Sequence, residues 1–274
     1  MATINTNPGA MVALQNLNKT NMELQEVQQR INTGLAVSSA RDNGGVYAIA
    51  QSMRADVGGY KAVTQSLDLA ASTTDVAIAA GEAISDLLVE MKEKALASAD
   101  TSLDAASRTA LNEDFQALRD QIGTIVANAE FNGTNLISNG ATDIEALANA
   151  TGSNTITIGA EDMSLTGSTL TISAGTQVDT ATNASAAATA IDTSIDNLNA
   201  ALARLGTGSK SLEIHKTFVG KLSDTLEKGI GNLVDADLAK ESARLQSLQV
   251  KQQLGVQALS IANSAPSTIL GYFR

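Results

Sequence analysis

The feature that most constrains this chain is a 4-3 spacing of apolar and small residues, sustained far longer than a compact domain allows. It runs through Val63, Leu67, Ala70, Thr74, Ala77, Gly81, Ile84, Leu88, Met91 and Ala95 without a break. A second run reads Leu111, Phe115, Leu118, Ile122, Ile125 and Ala129. A third reads Ile191, Ile195, Leu198, Leu202, Leu205, Ser209, Leu212, Lys216, Val219, Ser223 and Leu226. Such spacing on several segments predicts helices packed side by side along their lengths. Only Pro8 and Pro266 interrupt the helical option. Helices are expected at 8–32, 46–99, 104–129, 184–229 and 235–264, with Asp104 as an N-cap for the third. The second would be about 80 Å long at about 1.5 Å per residue. A globule of 274 residues has a diameter of about 50 Å. An elongated antiparallel helical bundle, a coiled-coil rod with its two termini paired, is therefore the expected fold.

Composition narrows the function classes. Aromatic residues make up 3% of the chain and Trp is absent, so small side chains must build thin seams between helices. A net charge of −11 argues against a nucleic-acid partner, which needs a basic surface. Cys is absent, which excludes disulfides and thiolate metal sites. A single histidine, His215, leaves no basis for a Ser-His-Asp triad or an HExxH zinc site. Neither a cofactor nor an enzyme activity is expected. No apolar run approaches a membrane span, and MATINTNPGAMVALQNL lacks the basic and apolar regions of a cleavable signal.

The texture changes between 131 and 180. FNGTNLI places the turn dipeptide Asn132-Gly133 between short apolar groups, a hairpin pattern. NTITIG and STLTIS alternate hydroxyl and aliphatic residues, as half-exposed strands do. A small β insert thus separates two helical halves. Its hydroxyls Thr151, Ser153, Thr155, Thr157, Ser164, Thr166, Ser168, Thr169, Thr171, Ser173 and Thr176 are expected on an exposed surface.

The two ends differ from the middle in being poor in charge. The first forty residues carry only Lys19, Glu23, Glu26 and Arg30, and no acidic residue follows Glu241. One N-terminal stripe holds Leu14, Leu17, Leu24 and Ile31, with Met11 and Val27 beside it. At the C-terminal end Leu238, Leu245, Leu248 and Leu259 form one stripe, and Val250, Leu254 and Ile261 lie on another face. A helix apolar on more than one side covers more than one partner can bury. Docking of the pair against sister copies is the functional reading; an ordinary hairpin within one molecule is the alternative. Lone helices of about 30 residues with few charge pairs are marginal in water. The ends are therefore expected to be disordered in the isolated chain and ordered by assembly.

Four stretches carry a family resemblance. QQRINTGLAVSSARDNGGVYAIA (28–50), EAISDLLVEMKEKALASAD (82–100), RTALNEDFQALRDQIGTIVANAEFNGTNLI (108–137) and LVDADLAKESARLQSLQVKQQLGVQALSIANSAPSTILGYFR (233–274) resemble, in order, the conserved segments of bacterial flagellins. The likeness covers the chain except about 140–185, and the opening INTNPGAMVALQNL looks most like the short alphaproteobacterial members.

The resemblance implies a division into 1–45, an inner-core helix and spoke; 46–139, the first part of the outer rod; 140–183, a short variable insert; 184–231, the second part of the rod; and 232–274, the C-terminal inner-core helix. It implies that the apolar end stripes line the filament core, and that Gly34, Ser39, Arg41, Asp42 and Gly44 belong to the connecting spoke. It implies a secreted, extracellular subunit, exported unfolded through the flagellar type III apparatus with a chaperone. Its partners would be itself, paralogous flagellins, and hook-associated junction and cap proteins. O-linked sugars on the insert hydroxyls are a further implication, with plain solvation as the alternative. Many flagellins carry Arg at the position matching Glu90, on a surface read by an animal innate receptor; the reversed charge here puts that recognition in doubt. A hook–filament junction protein is the alternative within the same superfamily. An appendage-borne enzyme and a soluble coiled-coil adhesin or effector are alternatives from other classes.

Overall fold

The computed structural model describes residues 6–270, with side chains described to Ser264. Five helices carry the fold: α1 Pro8–Thr33, α2 Gly44–Ala99, α3 Ala105–Asn128, α4 Ala181–Val234 and α5 Leu238–Leu270. Between α3 and α4 lie two antiparallel hairpins. The first joins β1 Glu130–Phe131 to β2 Thr134–Asn135, and the second joins β3 Ile144–Leu147 to β4 Thr155–Ile158. The chain forms two compact units, one of residues 1–55 and 225–274, the other of 56–224.

In the second unit the expected periodicity is realised as burial. All ten positions from Val63 to Ala95 are buried. Phe115, Ile122 and Ala129 supply the contribution of α3, and Ile191, Leu198, Leu205, Leu212 and Val219 that of α4. The polar members of the third run do different work: Lys216 is exposed and its Nζ lies 2.5 Å from Asp68 on α2. Lys92 on α2 meets Asp192 on α4 at 2.5 Å, so the two helices run antiparallel. Asp104 caps α3, its carboxylate accepting from Ser107 N at 2.8 Å, as the sequence predicts.

The insert follows its sequence only in part. Asn132 and Gly133 form the hairpin turn with φ of 51° and 81°. TITI becomes β4, but its partner β3 was not foreseen. STLTIS is not a strand. It lies along α4, where Thr171 N bonds Ser194 Oγ at 3.0 Å and the Thr171 hydroxyl bonds Ala190 O at 2.8 Å. Leu170 and Ile172 are fully buried, so the alternation it shows is that of an extended segment laid on a helix. The hydroxyls are not uniformly exposed either. Thr151, Ser153, Thr155, Thr157, Thr166, Ser168 and Thr171 are exposed; Ser164, Ser173 and Thr176 are half-buried; and Thr169 is 3% exposed.

The exit of the insert is clamped. Val178 N donates to Asn112 Oδ1 at 2.8 Å, Val178 O accepts from Ser98 Oγ at 2.5 Å, and Arg119 Nη1 donates to Thr176 O at 3.0 Å. Arg204 grips Glu161 through two nitrogens at 2.6 Å each.

Candidate assembly surface

The first unit is built around α1 and α5. Asn7 Oδ1 accepts from Ala10 N at 3.1 Å and Pro8 follows, a cap-then-proline start that suits the unbonded first turn. The helix ends at Gly34, whose φ of 72° suits a residue without Cβ and whose N–H returns to Arg30 O at 2.9 Å. At the start of α5, Asp237 Oδ1 accepts from Ala239 N and Lys240 N, both at 3.1 Å, and so caps the helix.

The register of the pair can be read from its polar contacts. Asn7 Nδ2 donates to Ala262 O at 2.6 Å, Gln252 Nε2 donates to Asn21 Oδ1 at 2.8 Å, and Arg30 Nη1 lies 3.3 Å from Glu241 Oε1. Every step forward on α1 is matched by a step back on α5, so the helices pack antiparallel along their described lengths. A Cβ at Gly255 would sit 3.2 Å from Leu17 Cδ1, which shows how closely the two backbones approach there.

Between them runs a connection residue by residue. Leu35 bridges Asp235, Ala36 N and Val37 N both donate to Val234 O, and Ala236 N donates to Gly34 O at 2.8 Å. Of the expected spoke residues, Gly34 is the cap of α1, while Ser39 and Asp42 shape the loop after it. The Asp42 carboxylate accepts from the N–H and hydroxyl of both Ser38 and Ser39 at 2.9 to 3.2 Å. The Ser38 hydroxyl and the Ser39 N–H lead in holding its pKa below the usual value. Arg41 is exposed, and Gly44 opens α2 two residues earlier than expected because Asn43 Oδ1 caps it through Val46 N.

The apolar stripes divide sharply. Val27 and Leu248 are buried, and Leu17, Leu24, Ile31, Leu245 and Leu259 are half-buried. Leu14, Leu238, Leu254 and Ile261 remain 48%, 50%, 57% and 69% exposed. Met11, Val12, Met22, Val250 and Val256 are more than half exposed beside them. Val27 and Leu248 are the only described hydrophobic residues of α1 and α5 that the pairing fully buries. Sequence reasoning missed Val12, Met22 and Val256, whose signal is the same excess of apolar positions around the helix. It also missed the Arg30–Glu241 contact, which no spacing rule links across the chain. Glu241 is 8% exposed, with Oε1 toward Arg30 and Oε2 without a hydrogen-bond partner.

Elsewhere, Glu90 is exposed on α2, and His215 is a half-buried seam residue whose Nε2 donates to Ala148 O at 2.7 Å. No helix among the described residues is long and apolar enough to cross a membrane.

The fold and this surface together define a helical structural subunit with paired ends and an unfinished apolar face. Two family models match it, the bacterial flagellin N-terminal helical region over residues 4–142 and the C-terminal helical region over 188–273. Flagellin FljM of Caulobacter vibrioides is 54% identical over 99% of this chain and 98% of its own length. The flagellin of Brucella melitensis is 38% identical over the whole of both chains. Among solved structures, Bacillus cereus flagellin is 26% identical with a TM-score of 0.50, over 56% of this chain and 88% of that one. A putative flagellar hook-associated protein from Vibrio parahaemolyticus shares the fold at 15% identity and a TM-score of 0.57, over 71% of this chain and 100% of that one. The chain belongs to the bacterial flagellin family, in its alphaproteobacterial branch. Residues 143–187 lie between the two family models and hold the β3–β4 hairpin and the start of α4.

Proposed function

We propose that this chain is the structural subunit of a flagellar filament, added to its sister copies through the outer face of the α1–α5 pair, and that it has no catalytic role. The observation that carries this is the imbalance within the pair: the two helices bury Val27 and Leu248 and leave nine large apolar side chains about half exposed or more. Covering the exposed remainder contributes about 1 kcal/mol per side chain, enough over several neighbours to offset ordering entropy. Export through a type III apparatus with a chaperone, an extracellular location, and junction and cap proteins as end partners complete the reading. They rest on family membership.

The test is elongation of filament seeds by purified chain, compared with chain lacking residues 1–30 and 240–274. The intact chain elongates seeds and the shortened one stays monomeric. Elongation by the shortened chain would refute the role given to the terminal pair. Amide exchange adds a second check, since α1 and α5 are to exchange quickly in dilute monomer and slowly in filament.

A further inference from the structure

Two exposed stripes on the second unit match each other in spacing and oppose each other in charge. On α4, Lys210, Ile214, Phe218 and Lys221 follow one another along one side, with Ile214 61% and Phe218 56% exposed. His215 steadies this stripe, its ring 5.9 Å from that of Phe218 and its Nε2 tied to Ala148 O. On α2, Glu82, Asp86, Val89, Glu90 and Glu93 occupy an exposed side that continues to Leu96, with Val89 49% and Leu96 56% exposed. The α4 stripe has Lys210 and Lys221 at its ends with Glu213 beside its apolar centre, and the α2 stripe sets Val89 among carboxylates.

We propose that the α4 stripe of one copy docks on the α2 stripe of a second copy of this chain, in a head-to-tail contact. Laid antiparallel with Ile214 against Val89, the register brings Lys210 opposite Glu93 and Lys221 opposite Glu82, because both pairs of end charges are eleven residues apart. Phe218 then falls over Ser85. The one like-charged meeting is Glu213 with Glu90.

The same register fixes the stagger between copies. Within one chain, the Lys92–Asp192 and Lys216–Asp68 pairs set Val89 level with Ile195. Ile214 stands nineteen residues further along α4, about 28 Å away. No chain can make this contact with itself. Because α2 and α4 are antiparallel within a chain, the partner copy points the same way and is displaced by about 28 Å along the helices. The two stripes are different surfaces, so the contact repeats from copy to copy without closing on itself.

This inference rests on the filament reading above and is tested separately from it. The chain has no cysteine, so Val89→Cys combined with Ile214→Cys reports only the proposed meeting. After seeded assembly and mild oxidation, this variant gives a ladder of covalent multimers in filaments and none in monomer. The off-register pair Leu96→Cys with Ile214→Cys gives no ladder, since its sulfurs start about 10 Å out of step. Charge reversal provides a second readout without cysteines. Lys210→Glu with Lys221→Glu lowers the elongation rate by about tenfold at low salt. Adding Glu82→Lys and Glu93→Lys to the same chain restores it, and Glu90→Gln alone raises it. Filaments without the Val89–Ile214 ladder, equal ladders from both pairs, or no rescue by the double reversal would overturn the contact while leaving the terminal-helix reading intact. Failure of the unmodified chain to elongate seeds would overturn that reading and this contact with it.

Discussion

Adjacent glycines in α2 supply an internal control for how the insert sits on its helix. A Cβ built on Gly58 meets nothing within 4 Å, whereas one on Gly59 lies 2.7 Å from Ala150 Cβ and 2.8 Å from Ala150 O. Both positions are helical, so each Gly→Ala change gains about 1 kcal/mol of helix propensity. At Gly58 that gain stands alone. At Gly59 the neighbour is backbone, held in a turn where Gly152 N bonds Asn149 O at 3.1 Å and Ala148 O takes the His215 bond. That turn cannot yield like the end of a long side chain, and such overpacking costs about 1–3 kcal/mol. Gly58→Ala should therefore raise stability by about 1 kcal/mol, and Gly59→Ala should change it by about 0 to −2 kcal/mol. For a unit of this size the midpoints should separate by about 2–12 °C in thermal unfolding followed by far-UV circular dichroism. Amide exchange near residues 148–153 should quicken in the Gly59 variant alone. Equal stabilisation by both changes would show that the turn does not bear on α2 as described.

Four further outcomes follow from the same structure. Leu248→Ala, at 3% exposure, should cost about 2–4 kcal/mol where assembly orders the α1–α5 pair, seen as a higher chain concentration needed to sustain seeded elongation. Leu254→Ala should leave monomer unfolding within about 0.5 kcal/mol of the parent yet weaken seeded elongation. Asp42 has a lowered pKa in the folded chain, so its contribution is present above the ordinary carboxylate value of 3.8 and is lost as pH falls through the lower folded value. The Ser38 and Ser39 amide resonances should move over that acid range, and Asp42→Asn should abolish the movement. Native protein bearing O-linked sugar should carry it at exposed hydroxyls such as Thr151, Ser153, Thr155, Thr157 or Ser168 and never at Thr169, which peptide mass mapping would show; an unmodified intact mass would remove the modification altogether.

The long seams were legible because one rule governs them: a side chain recurring every third or fourth position either meets the next helix or faces water, and the run from Val63 to Ala95 obeys it throughout. Ends of helices were less legible. The expected end of α4 near 229 is overrun, and the helix continues to Val234. A Cβ on Gly229 would lie 2.8 Å from Met53 Cε, so that glycine serves close packing. β3 escaped notice because IEAL is four residues long with a charge inside it, and its pairing is fixed by β4 rather than by its own pattern. STLTIS shows the converse, since alternation reports two unlike faces and not a strand partner. Which of the leucines on α1 and α5 face the seam depends on the register of α1 against α5. That register is set by Asn7, Asn21 and Arg30 meeting partners more than two hundred residues away.

The clamp on Val178 and Thr176 has a bearing on what the insert can become. Those bonds return the chain to α3 and α2 at a fixed point, whatever path it took to arrive. Lengthening a surface loop is cheap, about 0.6 kcal/mol for each doubling. Foreign sequence spliced in at the open turn around Gly140 should therefore be carried on the outside while the helical seams stay in place. The molecule holds a mounting point for added surface, separate from the faces proposed to meet its neighbours.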